Sequence, residues 1–137
     1  MKLKMSLAVF SLFVFSSAVF GAEVTTVYFI PFEVETYIPV TRATIISQAW
    51  EQWTISSKSQ TASLIALLNH GDEETFDEFR VRGLVLSGNQ TFCIDTNGVA
   101  STKGKLGIRI DKAMLVKFRD SLRADQRRTL KRNTGRQ

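Results

Sequence analysis

The chain predicts an α+β domain: an antiparallel sheet of about four to six strands with about three helices packed mainly on one face. Three observations carry this. Runs of β-branched and aromatic residues occur near residue 24 and again between residues 79 and 110. Three other segments space apolar residues three and four apart, as a helix does. Strands and helices are largely segregated along the chain, which argues against alternating βαβ units.

Residues 1–21 precede that domain. Lys2 and Lys4 stand ahead of an apolar run from Leu7 to Phe15, which Ser16-Ser17 interrupt and Ala18-Val19-Phe20 resume. A basic start followed by a short apolar stretch reads as a secretory signal. Cleavage is expected after Gly21, with Val19 as the small residue upstream. Cleavage after Ala18 is the second option and retention as an anchor helix the third. The chain is therefore expected to be exported, to the periplasm or beyond. Its lysine-led signal and lack of a disulfide framework favour a bacterial source. No cysteine lies near the cut, so a lipidated N-terminal cysteine is excluded.

Cleavage leaves about 115 residues, enough for one domain with a single core. Only Cys93 is present, so no intrachain disulfide forms and packing alone must hold the fold. The net charge of +5 is unevenly spread. Arg123, Arg127, Arg128, Lys131, Arg132 and Arg136 crowd the C-terminus, leaving the body mildly acidic. Residues 22–123 read as the domain and 124–137 as a basic, disordered tail.

The first strand is Val24–Ile30, ended by Pro31. Phe32–Ile38 alternates apolar and polar residues and reads as a continuation or a second strand, closed by Pro39. Thr41 suits an N-cap. Ile46, Trp50 and Trp53 behind it recur at four and three residues, predicting a helix over about residues 42–53. A second helix covers about residues 60–70, with Leu64, Leu67 and Leu68 as its stripe and Gly71 beyond its end. Phe79–Leu86 and Thr91–Asp95 read as a hairpin around Ser87-Gly88-Asn89. Asn97-Gly98 is the strongest turn signal, followed by short strands at Val99-Ala100 and Leu106–Ile110. Asp111 caps a last helix with Met114, Leu115, Phe118 and Leu122 on one face.

Few residues carry chemistry. His70 is the only histidine. With Asp72, Glu73 and Glu74 nearby it falls short of the several His or Cys ligands of a zinc site, and the acidic run lacks a calcium-loop pattern. No metal or cofactor is expected. Cys93 and Asp95 share one strand face and, with His70, supply the residue types of a thiol enzyme. However, Cys93 sits in an apolar strand with no helix N-terminus to lower its pKa. No phosphate-binding loop or nucleophile elbow occurs.

The expected function is therefore non-enzymatic. A small exported protein that occupies another protein, as inhibitors and immunity proteins do, fits best. Glu33, Glu35, Asp72, Glu73 and Glu74 could mask a basic cleft on such a partner, and Trp53 at a helix rim could anchor it. The alternative is tethering to an anionic envelope surface through Arg127, Arg128, Lys131 and Arg132 on an induced helix. A thiol enzyme centred on Cys93 comes third. Nucleic acid is not expected as a partner outside the cytoplasm, and edge-strand pairing leaves a homodimer open.

Overall fold

The computed structural model describes residues 23–130. The expected signal peptide at 1–21 lies outside them. The α+β class and the antiparallel sheet are found, but the sheet has eight strands rather than four to six. In chain order these are β1 (Thr25–Phe29), β2 (Glu51–Ile55), β3 (Asp72–Thr75), β4 (Val81–Ser87), β5 (Gln90–Asp95), β6 (Val99–Lys103), β7 (Leu106–Arg109) and β8 (Arg127–Thr129). Across the sheet they run β3-β7-β6-β5-β4-β1-β2-β8. Among the described residues the α-helices are α1 (Ile45–Gln48), α2 (Lys58–Leu68) and α3 (Lys112–Asp120).

Strand alternation gives the sheet two apolar faces. Val27 and Phe29 of β1, Val85 of β4, and Phe92 and Ile94 of β5 point to one side. There they meet Leu64 and Leu68 of α2 and Leu115 and Leu122 of the α3 region. Each such fully buried side chain contributes about 1.5–3 kcal/mol. Leu84 and Cys93 point the other way, into a second cluster with Ile30, Val40, Ile45 and Phe76. The long connection between β1 and β2, with α1 in it, covers that second face. Two helices thus lie on one face and the single-turn α1 on the other.

The third helix starts where its cap was expected: Asp111 accepts hydrogen bonds from the backbone N–H of Ala113 and Met114. The Asn97-Gly98 turn is also found, with Gly98 at φ +83° and its N–H donating to the Asp95 carbonyl. Gly71 is needed for a different reason than a helix C-terminus. A Cβ there would sit 2.0 Å from the Arg109 carbonyl oxygen, so only glycine lets β3 start beside β7.

Four segments depart from expectation. The helix over 42–53 is one turn, and Glu51–Ile55 is a strand paired along its whole length with β1. The spacing of Ile46, Trp50 and Trp53 mimics a helix. The buried positions are Trp53 and Ile55 with exposed Thr54 between them, the period of a strand. Residues 32–38 form a loop, since Pro31 and Pro39 bracket them and Val34 N–H closes a turn on the Pro31 carbonyl. Asp72–Thr75, where no strand was expected, is the edge strand β3, because β7 supplies a backbone ladder that tolerates acidic side chains at an edge. The expected tail is ordered through Leu130: a 3-10 turn at Ala124–Gln126 leads into β8, which pairs with β2.

Glu51 explains why β8 docks. Its carboxylate accepts hydrogen bonds from Nε and Nη2 of Arg119 and from Nε1 of Trp53, the last at 2.9 Å. Arg127 of β8 stands 3.9 Å away. One carboxylate therefore ties α3, β2 and β8 together. Burial pushes the Glu51 carboxyl up, but the hydrogen bonds from Arg119 and Trp53 outweigh it and hold it below the ordinary carboxylate value. Its contribution is therefore complete above the ordinary carboxylate range and lost as pH falls through the lowered value. Urea unfolding of Glu51→Gln against the wild type is expected to show a stability gap at neutral pH that narrows in acid.

Candidate functional site

The loop from Pro31 to Pro39 returns to the sheet at Val40, which forms a parallel bridge to Arg80. Val40 N–H donates to the Phe79 carbonyl at 3.1 Å and Val81 N–H to the Val40 carbonyl at 2.9 Å. These bonds hold the loop over the start of β4. Between the two lies a cleft of about 610 Å³.

Arg82 lies in its wall. The β4–β5 ladder pairs Val81 with Asp95 and then Gly83 with Ile94, which makes Arg82 the extra residue of a β-bulge. A bulge breaks strict alternation and re-aims a side chain, here toward the loop. Arg82 is 5% exposed. Nη1 donates to the Val81 carbonyl at 3.1 Å and Nη2 to the Val34 carbonyl at 3.3 Å. Nε is buried with no acceptor. Among the described residues no carboxylate pairs with it. Burial, with the Arg80 charge beside it, lowers its pKa from the usual arginine value. The group remains a cation at neutral pH, because arginine does not deprotonate in proteins. A buried charge with neutral partners and an unfilled donor costs the fold stability.

The mouth of the cleft is aromatic and charged. Tyr37 is fully exposed and Phe79 is 62% exposed. Glu33, Glu35 and Arg80 line the same cleft and are exposed. Arg80 lies 3.8 Å from Asp77 in a surface ion pair. The cleft thus offers one desolvated cation, two carboxylates and two solvent-facing rings. It can hold a ligand with an anionic group directed at Arg82 and cationic groups near Glu33 and Glu35.

The other expected residues lie elsewhere. Asp72, Glu73 and Glu74 sit on β3, with β7, β6 and β5 between them and the Arg82 strand. Trp53 is fully buried against Phe29 and Phe118, with ring centroids 5.1 and 6.3 Å away, so it is core rather than a rim anchor. Arg127 and Arg128 lie on β8, not on a helix, while Lys131 and Arg132 fall outside the described residues. His70 is exposed beside a second, mainly apolar cleft between α2 and α3. Sequence reading missed Arg82, Tyr37 and Phe79. The available signal was an arginine, Arg82, inside an otherwise apolar strand.

Asp95 and Cys93 have structural surroundings. Asp95 is fully buried, and its carboxylate accepts from the N–H groups of Asp77, Asn97 and Val99 at 2.8–2.9 Å. Those bonds fix the Asn97-Gly98 turn. Cys93 is 1% exposed, and burial pushes its thiol up despite the partial relief given by Arg42. A thiol reagent is therefore expected to label Cys93 only after denaturation. Rapid labelling of the folded protein would reopen thiol chemistry. Among the described residues no group of three His, Cys, Asp or Glu side chains is placed to hold a metal ion, and no helix is long and apolar enough to cross a membrane.

No family model, curated protein or solved structure matches this chain.

Proposed function

We infer that this is a small exported, non-enzymatic protein that works by holding another protein, with the Arg82 cleft as its contact surface. One observation carries the reading: a buried guanidinium on a β-bulge, without a carboxylate partner among the described residues, beside an open cleft. A partner's acidic side chain or C-terminal carboxylate in the cleft would supply the counter-charge that the guanidinium lacks. Arginine's planar fork suits a carboxylate. Desolvated arginines and aromatic side chains are also the residue types that dominate binding energy at interfaces, which gives Tyr37 and Phe79 a role. Glu33 and Glu35, expected from the sequence to face a partner, keep that role as a rim that favours basic groups beside the anion. An inhibitor or immunity-type protein would act by such occupancy.

The test uses a capped peptide carrying aspartate and lysine as the probe. Nuclear magnetic resonance of the labelled protein during titration should show saturable shifts at Arg82, Tyr37 and Phe79. The Arg82→Met variant should show none. Shifts confined to other surfaces, or equal shifts in both proteins, would overturn the reading.

A further inference from the structure

We propose that copies of this chain assemble head to tail, the acidic edge strand of one pairing with the basic edge strand of the next. The interface shares no residue with the Arg82 cleft and does not depend on it. It begins with the parity of the sheet. Each of the seven neighbouring strand pairs is antiparallel. With eight strands, the two edges β3 and β8 therefore run in opposite directions. A second copy moved sideways without being turned over brings its β8 antiparallel to the first copy's β3. An open edge is a template for such pairing.

The charges match across that junction. β3 carries Asp72, Glu73 and Glu74, and β8 carries Arg127 and Arg128. Glu74 is already held by Arg109 at 2.8 Å, and Arg127 stands at the longer distance of 3.9 Å from Glu51. Asp72, Glu73 and Arg128 make no ion pair among the described residues. Pairing β3 with β3 would set carboxylates against each other, and β8 with β8 would do the same with guanidiniums. Only the mixed pair is favourable.

The pleat and the charges together select the register. Following directly opposed partners across the sheet gives the row Glu73, Ile108, Ala100, Ile94, Gly83, Phe29, Glu51, Thr129. Glu73 and Thr129 therefore share the helix-covered face with Phe29. Alternation adds Arg127 to that face and puts Asp72 and Arg128 on the other. Side chains opposite one another across a ladder share a face. Among the registers that satisfy this, one sets Glu73 against Arg127 and Asp72 against Arg128 and so matches both arginines with carboxylates. Because the two edges differ, the contact is heterologous and extends into rings or open filaments rather than closing as a dimer.

Sedimentation velocity of the purified full chain over a concentration series tests this. In about 0.01 M salt the wild type should form oligomers larger than dimers, and added salt should dissolve them. Asp72→Arg and Arg128→Asp should each raise the concentration needed for association by about tenfold. Both sites are exposed, and circular dichroism of each variant checks that it folds. An equimolar mixture of the two variants should regain association, since the exchanged charges then face each other. A wild type that stays monomeric into the millimolar range would overturn the proposal. So would a closed dimer indifferent to both substitutions, or a mixture that fails to associate.

Discussion

Replacing Trp53 with alanine is expected to lower folding stability by about 4 kcal/mol. The indole is fully buried, packs against Phe29 and Phe118, and donates its N–H to Glu51 at 2.9 Å. Truncation opens a cavity under α3 and removes one of the hydrogen bonds that hold the Glu51 carboxylate. A domain of this size has only about 5–15 kcal/mol in total, so the variant should be near the edge of folding at body temperature. Urea unfolding measures it directly, and Trp53→Phe should recover more than half of the loss. A change below about 1 kcal/mol would contradict a buried strand position and return Trp53 to the surface.

Replacing Arg82 with methionine is expected to act in the opposite direction and raise stability by about 1–2 kcal/mol. Methionine keeps much of the length while removing a charge that burial has stripped of water. The Val34 and Val81 carbonyls lose a donor, which limits the gain. Few buried polar residues behave this way. Asp95→Ala, by contrast, would strand three backbone N–H groups and destabilise. The difference separates a buried charge that serves the fold from one that does not.

The fold class was legible from local pattern alone. Asp111 as a cap, Asn97-Gly98 as a turn and the Leu64–Leu68 stripe are short-range signals, and each is present in the structure. The misread segments take their structure from distant partners. Glu51–Ile55 becomes a strand because β1 lies on one side and β8 on the other. Asp72–Thr75 and Arg127–Thr129 are too polar to announce themselves as strands, and only their ladders with β7 and β2 make them so. The cleft was half legible. Glu33 and Glu35 were candidates as a polar strand face, yet they reach the cleft as part of a loop. Arg82 stayed hidden because Phe79–Arg82 reads as ordinary alternation. The one-residue slip that turns the side chain inward depends on pairing with β5, which local spacing does not encode.

On the proposed function, Arg82 serves a ligand and costs the free fold stability. Urea unfolding of the wild type and Arg82→Met, each with and without the capped aspartate–lysine peptide at saturating concentration, tests it most directly. Ligand that binds only the folded state adds stability by mass action. The peptide is expected to stabilise the wild type alone, and the free variant to be already the more stable protein. A free variant less stable than the wild type, with both proteins responding equally to the peptide, would make Arg82 a structural residue and place any binding elsewhere.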